Sequence, residues 1–250
     1  MFRACAAVRR MHVSAVSPPA TTSRQKDHVR AVLTHPEVVK NLSQTHAWAI
    51  LCSAVTSANR PALLAPALEV LNEKPVDVAT RICLVKKGRE AIYKTYTVAG
   101  MPKTINALSE FKAGIGRHWP TELAAVESES PSDEKPASDA QEIRNRGQSF
   151  FNLVYAKTAP RLESLLAGLH PNLLPVIIED AYGKVLSDVS VLDGLETELV
   201  MVGALEVQGG AVAKQVESHR RGAMRLNASA EQVAAAQLIA REVIACEEWA

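Results

Sequence analysis

Residues 195–233 read LETELVMVGALEVQGGAVAKQVESHRRGAMRLNASAEQV. An apolar helical stretch near 195–206 is turned by Gln208-Gly209-Gly210 and followed by a small-residue helix that runs to about Leu226. Asn227 suits the left-handed residue that ends a helix, because Asn tolerates positive φ better than most side chains. Ser229 then caps the last helix, with Glu231 and Gln232 in its first turn. Gln215 and His219 are four residues apart and share one helix face. Glu198 lies on the preceding helix, across the glycine turn, and an antiparallel helix pair brings such a carboxylate toward the imidazole.

Composition extends this all-helical reading outward. Hydrophobic residues make up 47% of the 250 and aromatic residues 4%, so the core is built from Ala, Leu and Val. Few glycines and few β-branched runs favour helices over a sheet, and the chain is long enough for a sizeable core. Residues 27–120 read as a first helical half, broken near Asn59-Arg60-Pro61, stopped at Pro75 and broken again at Gly100-Met101-Pro102, where Pro102 suits a first helical turn. Residues 121–146 include the acidic, Ser- and Pro-rich TELAAVESESPSDEKPASDA and read as a solvated linker. Residues 147–250 form the second half, with helices expected at about 147–156, 159–168 and 171–184 before the opening stretch. The two halves share a plan of apolar helix, break, Ala-rich helix and terminal Asn, which suggests a degenerate repeat.

The net charge of +1 offers no electrostatic case for nucleic acid, and no apolar run reaches the roughly 20 residues that cross a bilayer. Residues 1–26 hold Arg3, Arg9, Arg10, Arg24 and Lys26 and no acid, which leaves 23 basic against 27 acidic residues in the remainder. That composition points to a mitochondrial presequence and a matrix protein, with a basic tail on a cytoplasmic protein as the alternative. The ending CEEWA is not an S-K-L peroxisomal address. Cys5, Cys52, Cys83 and Cys246 contain no C-x-x-C pair, so neither a metal site nor a disulfide framework is expected. Cys52 and Cys83 sit in apolar stretches as small core residues.

The chemistry of the opening stretch has two readings. A carboxylate that orients an imidazole makes a base that titrates near neutral pH, so Glu198 and His219 suit proton transfer, and the Gln215 amide suits a carbonyl or carboxylate oxygen. Alternatively, Glu196 and Glu198 serve the helix dipole while His219, Arg220, Arg221 and Arg225 form a solvated basic patch.

The pattern resembles the carboxymuconolactone decarboxylase/alkylhydroperoxidase D (AhpD-like) superfamily. Glu198, Gln215, His219, Gly222, Ala223 and Ser229 fall on its signature, and Asn227 replaces the usual glycine. HPNLLPVIIEDAYGKVLSD is similar to the family's Pro-x-Leu…Tyr-Gly segment, and Tyr96, Gly100, Pro102, Asn106, Ala107 and Leu108 match its first-half helix pair. The resemblance covers roughly residues 40–115 and 147–245, and extends to a fungal subgroup with a mitochondrial-type leader. It implies an all-α fold and a homo-oligomer, trimer or hexamer. The positions of the peroxidase branch's Cys-x-x-Cys are Val212 and Gln215 here, which removes both nucleophile and resolving thiol. The decarboxylase branch implies cofactor-free acid/base chemistry on a small carboxylate or lactone, with His219 as base, Glu198 as its orienter, and Gln215, Arg220 or Arg221 as substrate contacts. The rival expectations are a non-catalytic oligomeric binding or scaffold protein and a redox protein using Cys52, Cys83 or Cys246.

Overall fold

A computed structural model describes residues 23–129 and 139–246. Among these, every regular element is helical and none is a strand. The first part comprises α1 (Ser23–Leu33), α2 (Pro36–Asn41), α3 (Gln44–Ser57), α4 (Leu64–Leu71), α5 (Val78–Ala99), α6 (Met101–His118) and α7 (Pro120–Ser128). The second comprises α8 (Ala140–Tyr155), α9 (Ala159–Leu169), a short α10 (Leu173–Pro175) that runs on as a π-helix over Val176–Leu186, then α11 (Gly194–Glu206), α12 (Ala213–Arg225) and α13 (Ala230–Ala245).

Two of these helices are buried on all sides along most of their length and form the interior. Every residue of α3 from Ala47 to Ser57 is buried, as is every residue of α11 from Glu196 to Leu205. They pack on each other, tied by hydrogen bonds from Ser53 Oγ to the Val200 carbonyl (3.0 Å) and from Ser57 Oγ to that of Ala204 (2.6 Å). Gly203 allows the approach, since a Cβ there would lie 2.9 Å from Ile50 Cγ2. α5 and α13 flank this centre, α12 lies against α11, and α8 lies against both α12 and the π-helix. The two halves therefore share one core. The orders α3–α4–α5 and α11–α12–α13 parallel each other, with a left-handed residue after each first helix: Asn59 at φ 55° and Gly209 at φ 70°.

Local signals set most boundaries. Asn227 has φ 73°, and Ser229 with Gln232 forms a reciprocal capping box at the start of α13. Asp193 and Glu196 do the same for α11, and Gly100 at φ 84° separates α5 from α6 with Pro102 in the first turn. Elsewhere the helices exceed expectation. The stretch expected as linker over 121–146 is helical up to Ser128 and again from Ala140, because buried Trp119 and Val126 and an ion pair from Arg81 to Glu122 (2.7 Å) hold α7 down. The leader lies outside the described residues except for its last four, which begin α1; there Lys26 pairs with Glu69 and Glu73 at 3.3 Å each.

Where an α-helix is expected over 171–184, the backbone widens into the π-helix. Two cationic side chains serve its C-terminal carbonyls. Arg146 donates to the Gly183 carbonyl through Nε (3.1 Å) and Nη2 (2.7 Å). Lys94, fully buried on α5, donates from Nζ to the carbonyls of Leu186 (3.2 Å) and Asp188 (2.5 Å) and to Thr197 Oγ1 (2.8 Å). Burial pulls the Lys94 pKa down from 10.5 to about 8, against the opposing pull of Glu90, Asp188, Glu196 and Glu198. Between those two pH values the unfolded chain carries a proton on this lysine that the folded chain has shed, so the group's contribution to stability rises with pH across the window, by at most about 3 kcal/mol. Denaturant unfolding of wild type and Lys94→Met at both ends of the window is expected to show the wild type gaining on the variant as pH rises. A difference that stays constant contradicts this.

Candidate functional site

Glu198 and His219 meet between α11 and α12. Nδ1 of His219 lies 3.0 Å from Oε2 of Glu198, with the imidazole 5% exposed and the carboxylate at 0%. Facing a carboxylate, Nδ1 carries the proton and donates it, which leaves the Nε2 lone pair free to accept another. Nε2 has no hydrogen-bond partner among the described residues. The nearby sealed atoms that lack one are Glu198 Oε1 and Arg220 Nε, so Nε2 retains the little exposure that His219 has. One turn beyond the histidine, Gly222 makes room for the acid: a Cβ there would lie 2.4 Å from Glu198 Oε2 and 2.9 Å from Val154 Cγ1.

Aromatic groups of the second half close around the pair. The Tyr155 ring at the end of α8 meets the imidazole edge-on, with centroids 6.2 Å apart, and Phe151 and Tyr182 pack behind it. The Tyr182 hydroxyl donates to that of Tyr155 at 3.2 Å, which leaves the Tyr155 proton free for another acceptor. Burial raises both phenols above their usual range, and the Glu198 charge adds to this, so both stay neutral donors. Next to Tyr155, Ala156 sits at φ 47° and ψ −125°, a conformation suited to glycine and costing on the order of 1–3 kcal/mol in any other residue. It turns the chain from α8 into α9, whose face forms one wall of a cavity of about 220 Å³ against α12. Tyr155, Arg161, Leu162, Leu165, Arg221 and Arg225 line it.

The expected site residues divide. Glu198 and His219 are brought together, and Arg221 lines the cavity while its Nε donates to Glu217 at 2.7 Å. Arg220 pairs with the same Glu217 at 2.9 Å and does not line the cavity. Gln215 is exposed and does not line the cavity. Glu196 does not join the pair: it completes the α11 cap and binds His46 (3.0 Å) and Lys87, and although burial pushes its carboxyl up, those partners hold it down at about 2. Tyr155, Arg161 and Arg225 enter the site without having been expected there. Cys52 and Cys246 are buried, and burial pushes the Cys52 thiol well above its usual range, against a reactive thiolate. Among the described residues no group of three or more His, Cys, Asp or Glu side chains is placed to hold a metal ion, and no helix is long and apolar enough to cross a membrane.

The chain is 32% identical over 203 residues to Peroxisomal protein 2 of Schizosaccharomyces pombe, which spans 81% of this chain and 87% of that protein. It belongs to the peroxisomal protein 2 family. Peroxisomal protein 2 of Saccharomyces cerevisiae is 27% identical over 181 residues, 66% of this chain and 62% of the budding-yeast protein. No family model matches the chain, and no solved structure matches it. Both peroxisomal protein 2 relatives are named for the peroxisome, which overturns the mitochondrial expectation and its cytoplasmic alternative. An acid-free run of Arg, Ser and Ala is a matter of composition, and many solvated basic segments satisfy it.

Proposed function

We propose that this member of the peroxisomal protein 2 family is a peroxisomal homo-oligomer, trimer or hexamer, with an AhpD-like helical fold, and that it performs cofactor-free acid/base chemistry on a small carboxylate or lactone. The observation that carries the reading is the buried Glu198–His219 pair, which does not itself line the small cavity but meets it through the Tyr155 ring. Nε2 of His219 takes a proton from a carbon next to a carbonyl, Glu198 steadies the imidazolium that forms, and the free Tyr155 proton meets the oxygen on which charge collects. A positioned base of this kind contributes about 10²- to 10⁴-fold. Thiol peroxidase chemistry is not proposed: Val212 and Gln215 stand where the redox pair would be.

The test is hydrogen–deuterium exchange at acidic C–H bonds of small carboxylates and lactones, followed by NMR in heavy water. The wild type is expected to catalyse exchange on at least one of them. His219→Gln, whose amide keeps a hydrogen bond to Glu198, is expected to lose at least about 100-fold of that rate while remaining folded. Equal exchange by both proteins sinks the reading. A second reading, a non-catalytic binding or scaffold protein, draws on the apolar side chains that α9 leaves uncovered, Leu165 at 57% and Leu169 at 66% exposure. It predicts no exchange by either protein.

A further inference from the structure

The cavity against α12 has a charge that the acid/base pair does not explain. Three guanidinium groups line it, from Arg161, Arg221 and Arg225, and no carboxylate does. Arg221 shares Glu217 with Arg220, which offsets part of its charge. Arg225 is anchored through Nη1 on the Val154 carbonyl, a neutral partner that positions the group and leaves its charge uncompensated. Arg161, exposed on α9, has no hydrogen-bond or ion-pair partner among the described residues. Like charges converging on one hollow repel, and an anion between them relieves that repulsion while taking the forked N–H groups in pairs.

The other walls set size and shape. Leu162 and Leu165 supply an apolar face, and the Tyr155 hydroxyl, already accepting from Tyr182, has its own proton to give. A cavity of about 150 Å³ holds a benzene ring, so the space of about 220 Å³ here accommodates a ring-sized body and one oxyanion but no nucleotide-sized cofactor.

We infer that this cavity is a binding site for a compact amphiphilic anion, a ring-sized apolar body with one carboxylate or phosphate head, held by Arg161 and Arg225 at the head and by Leu162 and Leu165 along the body. It deepens the proposed function and rests on it in one respect, that the ligand lies beside Tyr155 and His219. The residues that read the anion come from α9 and the far end of α12, and not from Gln215 or Arg220.

Calorimetric titration of the full chain with benzoate, phenyl phosphate and neutral benzamide tests it. At least one anion is expected to bind about tenfold or more tightly than benzamide, and Arg161→Gln to weaken that anion by about tenfold or more while leaving benzamide unchanged. Arg161 is exposed and holds no hydrogen bond or ion pair among the described residues, so this variant is expected to fold. Tighter phenyl phosphate identifies a phosphate head and tighter benzoate a carboxylate head. His219→Gln is expected to bind the anion within about threefold of wild type, because the head is held elsewhere. Binding that depends on Arg161 without any proton exchange supports the anion site and rejects the acid/base reading. Benzamide binding as well as the anions, no effect of Arg161→Gln, or no binding of either anion at millimolar concentration overturns the inference.

Discussion

Gly147→Ala is expected to remove at least about 3–4 kcal/mol of stability, out of the roughly 5–15 kcal/mol that a domain possesses. α8 crosses the π-helix at Gly147 and Gly183, and a Cβ on Gly147 would lie 2.0 Å from the Ile178 carbonyl oxygen and 2.7 Å from the Gly183 nitrogen. Both are backbone atoms, so no side chain can swing away. The elements must separate, and separation breaks the Arg146 hydrogen bonds to the Gly183 carbonyl and draws Tyr182 off Tyr155. Urea unfolding followed by circular dichroism measures the loss. Gly168→Ala is the control: it lies in α9 with nothing within 4 Å of its added methyl, and alanine in a helix gains up to about 1 kcal/mol over glycine. Two glycine-to-alanine changes twenty-one residues apart thus act in opposite directions. A small loss at Gly147 means that the two backbones are not in contact.

His219→Leu has the second-largest expected effect, about 3–5 kcal/mol of destabilisation, because Glu198 is then a sealed carboxylate with no partner on either oxygen. Adding Glu198→Leu is expected to recover most of it, since an apolar pair of similar volume needs no partner. Unfolding curves of both single variants and the double variant close the cycle and yield the coupling between the residues. The double variant also separates structure from chemistry. A stable protein that has lost proton exchange assigns the pair to the reaction, whereas His219→Leu as stable as wild type means that the imidazole and carboxylate do not interact.

What the sequence discloses and what it conceals follow from the range of the forces involved. The pairing of Glu198 with His219 needs only the short turn that folds α12 back on α11. The all-α class, the Asn227 and Ser229 boundary and the break at Gly100 rest on caps, turns and spacing within one or two helical turns of each residue. The π-helix does not, because apolar periodicity over 171–184 fits an α-helix, and the shift to wider hydrogen bonding answers Arg146 and Lys94, which arrive from other helices. Lys94 finds its acceptors more than ninety residues further along the chain, beyond the reach of any local pattern. Tyr155, Arg161 and Arg225 share a cavity only because Ala156 bends α9 back toward α12, and a left-handed alanine announces itself in no local pattern. Gln215 and Arg220 show the converse, residues picked out by spacing alone that do not line the cavity.

The contact between α3 and α11 also has a cost in time. The Ser53 hydroxyl finds the Val200 carbonyl across 147 residues of intervening chain. At a synthesis rate of about 5–20 residues per second, α3 therefore waits roughly 7–30 seconds after leaving the ribosome before its partner exists. Throughout that interval α5 and α6 can cover part of α3, but the face that α11 will bury stays bare to the cell. The nascent chain is thus dependent on whatever shields that face in the meantime, and the interior of the finished protein is completed late.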